Sequence, residues 1–160
     1  MPETLEEMQK AASARLAEGE ALVGMEFWDA GIYLLGYTAE MVLKTAYCRL
    51  DPTLSAGTVV KDVFGTATQQ WRNLFHTSPP RQYGHDVLFW ETVLGQQRLT
   101  HHKPSLTVPV ALITSRCVQI VGRHWDVEMR YQPPKTSMQD ALAVRLAARW
   151  LYANQHTLWS

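Results

Sequence analysis

From Trp28 to Leu50 the chain reads WDAGIYLLGYTAEMVLKTAYCRL, a run with almost no face left for water. Placed at about 100° per residue, Ile32, Leu35, Ala39, Val42, Leu43, Ala46 and Leu50 share one broad apolar face. Asp29, Tyr33, Gly36, Tyr37, Glu40, Lys44 and Tyr47 share a second, more polar one. A helix apolar on nearly every side belongs at the centre of a bundle. At 1.5 Å per residue it is roughly 33 Å long, which sets the length of the domain. Asp51 and Pro52 stop it.

The flanking segments carry weaker versions of the same period. Thr4 followed by Glu7 fits a capping box, and Leu5, Met8, Ala12, Leu16 and Val23 recur behind it. This predicts a first amphipathic helix to about Leu22, ended by Gly24 and packed antiparallel to the central one. Val59, Val60, Val63, Phe64, Trp71, Leu74 and Phe75 predict a helix over roughly Val59 to Phe75, interrupted in its period by Gly65 and a Thr/Gln run. TSPPRQYG is a loop. The next helix starts near His85 and Asp86, buries Leu88, Phe89, Val93 and Leu94, and ends by Gly95 or a turn later. After the loop HHKPSLTVP, a stripe of Val110, Ile113, Cys117, Ile120 and Val121 lies opposite Arg116, Gln119 and Arg123. HWDVEMRYQPPK, with Pro133 and Pro134, reads as irregular chain. Thr136 or Ser137 caps a last helix through about His156, apolar at Ala141, Val144, Ala148 and Leu151. The expectation is an all-α, up-and-down bundle of about five helices.

Length and charge narrow the picture. The 160 residues suffice for one domain, taken as 1–160, with a sizeable core. Formal net charge is zero, so no overall field draws nucleic acid or an anionic membrane, and any RNA contact needs a local patch. Cys48 and Cys117 lie inside apolar helical patterns without metal or redox spacing, and read as reduced thiols of a cytoplasmic protein. The amino terminus MPETLEEMQK is acidic and polar, and no apolar run approaches the roughly 20 residues of a membrane span. No leader or membrane anchor is expected. Trp28, Trp71 and Trp90 are expected in the core, Trp150 and Trp159 at an interface.

Three stretches together resemble a known family. Gly36, Tyr37, Glu40 and Lys44 on the central helix, GHDVLFWETVL from Gly84, and Trp125 followed by Arg130 and Tyr131 are similar, in order and rough spacing, to the signature segments of HEPN domains, the higher-eukaryote and prokaryote nucleotide-binding domains. The resemblance implies a HEPN-like helical bundle that forms homodimers. It also implies a minimal nucleotidyltransferase antitoxin as protein partner in a toxin-antitoxin system, or a nucleotide-like ligand. Many proteins of this family are metal-independent ribonucleases that use an arginine, four to six residues, then a histidine; only Arg149 and His156 meet that spacing here. On one continuous helix these two would share a polar stripe. Arg149 is followed by Trp150 rather than the polar residue usual in the nuclease motif, and His156 lies where a terminal helix frays.

The polar stripe has a bland reading and a sharp one. Glu40 and Lys44, one turn apart with the acid first, make an ordinary i,i+4 ion pair if exposed. On so apolar a helix they should instead be partly buried and need partners, Arg130 for Glu40 and Asp86 for Lys44. Tyr33, Tyr37, His85 and Tyr131 complete the candidate set, and a structural network is favoured over a ligand site. His85, just ahead of a helix, is expected to contact backbone. No Glu-x-x-His pair, phosphate loop, nucleophile elbow or zinc-cysteine spacing occurs, so neither metal nor cofactor is expected. Three functions follow in order: a non-enzymatic, self-associating binding module of a nucleotide, RNA or nucleotidyltransferase; a ribonuclease toxin; and a helical scaffold without ligand.

Overall fold

The computed structural model describes residues 4–132 and 135–160. Seven α-helices follow in order: α1 (Leu5–Gly24), α2 (Trp28–Arg49), α3 (Phe64–Phe75), α4 (Val87–Thr100), α5 (Val108–His124), α6 (Met138–Ala153) and α7 (Gln155–Trp159). Short 3-10 helices at Val60–Val63, Tyr83–His85 and Val127–Tyr131 join them. The chain is an all-α bundle, and among the described residues no helix is long and apolar enough to cross a membrane. As its composition demands, α2 is the axis. It packs against α1, α4, α5, α6 and α7, and every residue from Thr38 to Cys48 is buried.

Local chemistry accounts for most helix ends. The Thr4 hydroxyl accepts the Glu7 N–H at 3.3 Å, and the Glu7 carboxylate accepts the Thr4 N–H at 3.2 Å, the expected capping box. Two more donors of this first turn leave the helix altogether: Leu5 N–H bonds the Thr58 carbonyl at 3.1 Å, and Glu6 N–H the Ala56 carbonyl at 3.0 Å. The connection between α2 and α3 is thereby stitched to the start of α1. Gly24, predicted to end α1, is still helical; the left-handed residue that turns the chain is Glu26, at φ 66°. Ser137 and Asp140 form a second capping box at the start of α6.

α1 approaches α2 where both lack side chains. A Cβ on Gly31 would stand 2.5 Å from Val23 Cγ2 and 3.1 Å from the Gly19 carbonyl oxygen. The backbones meet because nothing larger than hydrogen lies between them.

Elsewhere the structure corrects the sequence reading. Val59 to Phe75 divides into a 3-10 turn and α3. α4 keeps to that reading: it runs past Gly95 to Thr100, about the further turn the sequence allowed, and Gln97 and Arg98 beyond that glycine are buried and hold it to the bundle. Leu88 and Ile113, expected inside, are exposed, since among the described residues no helix covers that side of α4 and α5. The last helix breaks at Asn154, whose side chain returns to the Trp150 carbonyl at 2.8 Å, and α7 starts afresh. Residues 127–131 form a 3-10 helix within the stretch read as irregular, whereas Pro133 and Pro134 lie outside the described residues. Trp90 and Trp125 are the buried tryptophans; Trp28 and Trp71 are half-buried, as are Trp150 and Trp159, which pack on the core.

Several polar groups in the interior pair with one another, whereas the hydroxyl of Thr45 on α2 is buried without a partner. Tyr47 donates to Gln70 Oε1 at 2.9 Å and Gln70 to Gln97 Oε1 at 2.6 Å, linking α2, α3 and α4. Buried Arg98 donates to the carbonyls of Pro104, Leu158 and Ser160, tying α7 to the loop after α4, and burial draws its pKa below the usual arginine value. Both cysteines are free and buried, and burial pushes the Cys48 thiol up to about 12.

The glycine contact makes a prediction with opposite signs at two sites. Gly31→Ala forces α1 from α2 and is expected to destabilise the fold by about 1–3 kcal/mol. Gly24→Ala, helical with nothing within 4 Å of the added carbon, should be neutral or stabilise by up to about 1 kcal/mol. Urea titrations of the two variants beside the parent check both signs.

Candidate functional site

Glu40 and Lys44 lie on the same side of α2, one turn apart, and both are more than nine-tenths buried. They form a direct ion pair. The ammonium also faces two rings, with Nζ 5.1 Å from the Phe64 centroid and 5.4 Å from that of Trp90. Rings of this kind replace part of the hydration that a buried cation loses.

The second oxygen of Glu40 takes a partner from a distant segment. His85 Nδ1 lies 3.1 Å from Glu40 Oε2. The expectation that His85 would merely contact backbone is therefore corrected: the 3-10 turn at Tyr83–His85 aims its ring at α2. Two bonds hold that turn. Asp86 caps α4 by accepting the N–H groups of Leu88 and Phe89 at 2.9 and 3.2 Å, and Trp90 Nε1 donates to the Gly84 carbonyl at 3.3 Å. Asp86 is thus a cap and not the partner of Lys44.

One turn back along α2, Tyr37 and Tyr33 share a hydroxyl hydrogen bond of 3.2 Å with their rings edge to face. Burial, reinforced by that bond, holds the Tyr37 phenol above its ordinary pKa. Tyr37 also meets the rings of His85 and Trp125 edge-on. Trp125 lies flat over Gly36, where a Cβ would be only 2.0 Å from its Cγ, and donates to the Tyr33 carbonyl at 3.1 Å. This is why Gly36 and Trp125 go together. Arg130, expected on Glu40, is exposed instead: it stacks over Tyr131, 4.6 Å from the ring centroid, and hydrogen-bonds Tyr33. Tyr47, placed by periodicity on the polar stripe, is sealed in the core with Gln70.

The stripe opens into a cavity of about 400 Å³. Tyr37, Glu40, Lys44 and His85 form its polar side; Met8, Met41, Val59, Val60 and Phe64 form the apolar one, and the exposed Lys61 stands at the rim. Sequence reasoning missed the apolar side. Met41 had a signal, four residues after Tyr37 and three before Lys44 on the same helix side. Lys61 and Phe64 had none, because they come from the segment whose period was broken. Among the described residues no three His, Cys, Asp or Glu side chains gather as a metal-holding group.

Arg149 and His156 stand apart from this site. Arg149 Nε is paired with Glu20 Oε1 of α1 at 2.6 Å, and His156 packs edge-on against Trp159, 4.8 Å between centroids. The break at Asn154 puts them on different helices, α6 and α7, so the continuous polar stripe that would have aligned them does not form.

Removing either member of the buried pair leaves the other buried without its counter-charge, Glu40 with His85 and Lys44 with the Phe64 and Trp90 rings. Glu40→Ala and Lys44→Ala are each expected to destabilise the protein by about 3 kcal/mol or more. Replacing the exposed Glu6 or Lys10, also an i,i+4 pair, should leave stability close to that of the parent. Chemical denaturation of the four variants separates a buried network from a solvated one.

Compared with family models, curated proteins and solved structures, the chain matches none.

Proposed function

We propose that this protein is a HEPN-like binding module that self-associates and does not cleave RNA, with a minimal nucleotidyltransferase as the class of partner the resemblance implies. The observation that carries the non-cleaving part is the state of Arg149 and His156. A metal-independent nuclease of this type needs an arginine free to hold phosphate charge and a histidine beside it to move the proton. Here the guanidinium is paired through Nε with Glu20, and the histidine lies on a separate helix beyond the break at Asn154. The binding part rests on the cavity beside α2, which combines apolar walls with a few convergent polar groups, the usual make-up of a ligand site. Free, buried thiols fit a reducing compartment such as the cytoplasm.

Self-association has its own support. Leu88 and Leu99 on α4 and Val108, Leu112 and Ile113 on α5 are exposed on two helices that pack side by side. Apolar surface gathered in this way marks a contact with another protein, and a second copy of the chain is the commonest one.

Two measurements test this reading. Unstructured RNA incubated with the protein in excess chelator is expected to stay intact, and His156→Ala to match the parent in stability. Metal-independent cutting abolished by both Arg149→Ala and His156→Ala, with helicity retained, would establish the ribonuclease instead. Sedimentation at tens of micromolar, on the order of a modest dimer's affinity, is expected to show a dimer that Leu112→Glu converts to monomer. A parent that sediments only as monomer removes the self-associating part.

A further inference from the structure

The Glu40–Lys44 pair on the polar side of the cavity beside α2 is neutral as a unit but not saturated. Lys44 has three N–H donors and gives one to Glu40. Each Glu40 oxygen has one protein partner, Lys44 on Oε1 and His85 on Oε2, and a carboxylate oxygen accepts two. The cavity is therefore lined, side by side, by a donor and an acceptor that are themselves nine-tenths buried.

Charge selects against most ligands at this floor. An anion settling on Lys44 meets the Glu40 carboxylate next to it, and a cation settling on Glu40 meets the Lys44 ammonium, both where water screens little. A wholly apolar guest leaves the spare donor and acceptor facing it unpaired. An uncharged group that presents a carbonyl oxygen beside an N–H satisfies both at once: the carbonyl accepts from Lys44, the N–H donates to Glu40. Carboxamides and lactams have this edge, and it is planar. The remaining walls suit the body behind such an edge, since Met41, Val60 and Phe64 offer thioether, branched aliphatic and aromatic surface.

Building on the binding-module reading, we infer that the cavity takes an uncharged, planar molecule through a carboxamide or lactam edge, held by Lys44 and Glu40 with its apolar body against Met41, Val60 and Phe64. Charge on such a ligand is tolerated only at the rim, beside exposed Lys61.

Four probes of similar size separate the alternatives: benzamide, benzoate, benzylamine and toluene, titrated into isotopically labelled protein and followed by amide chemical shifts. Benzamide is expected to saturate shifts around residues 37–44 and 59–64 with a dissociation constant on the order of millimolar, as suits so few atoms. The other three are expected to bind at least roughly tenfold more weakly, about the discrimination that one unpaired polar group imposes. Glu40→Gln and Lys44→Met bear directly on the contact but strip a buried charge of its partner, so the deciding variant is Val59→Trp, which fills the cavity from a half-buried wall position. It is expected to abolish the benzamide shifts while keeping the parent's helicity. Tightest binding by benzoate or benzylamine, equal binding by toluene, no binding by benzamide, or benzamide binding untouched in a folded Val59→Trp protein each overturns the inference. RNA cleavage is read separately. Cutting with benzamide still bound would remove the non-cleaving function and leave this site standing; intact RNA with no bound benzamide does the reverse.

Discussion

The whole structure answers to one constraint: α2 is buried from Thr38 to Cys48, so the charges it carries there must be met within the protein. Those charges are Glu40 and Lys44. Their pairing removes most of the penalty of burial, and His85, Phe64 and Trp90 supply the rest from three other segments. Tyr47 is met by Gln70, and Tyr33 by Tyr37 and Arg130. The positions of α3, the turn before α4 and the 3-10 helix after α5 are thus tied to what α2 needs. A bundle built only on apolar contacts would leave these short connections free to drift; this one specifies them.

The same constraint explains how a site arises in a core. Partners gathered around a buried ion pair do not fill space as tightly as aliphatic chains, and the cavity lies where the connection after α2 arches past α1. On the opposite side, Trp125 lies directly on Gly36 and leaves no space between the ring and the backbone of α2. One polar stripe is therefore covered by an indole at Gly36 and open to the cavity at Glu40 and Lys44.

Much of this was legible in the sequence, and what was legible was local. The Thr4 capping box depends on residues three apart, and the start of the last helix was legible as Thr136 or Ser137, of which Ser137 is the cap. The all-round apolarity of Trp28 to Leu50 is a property of one helix and placed it correctly at the centre. Burial of Glu40 and Lys44 followed from that placement. Their partners did not, because His85 is 45 residues from Glu40 along the chain and nothing in its neighbours says which way its ring turns. Leu88 and Ile113 were misread for a related reason: an apolar stripe shows which side of a helix avoids water, not whether a neighbour exists to cover it. The halt at Asn154 interrupts good helix-forming sequence, so periodicity ran straight through it and joined Arg149 to His156 on a stripe that does not exist.

The bonds from Leu5 and Glu6 to Thr58 and Ala56 change what the start of α1 reports about the molecule. In most helices the amide protons of the first turn face solvent and trade with deuterium almost at once. These two are bonded to the strap that continues into one wall of the cavity, so they exchange only when helix start and strap part. Their protection reports on that seam beside the cavity, and not on solvent-facing fraying alone.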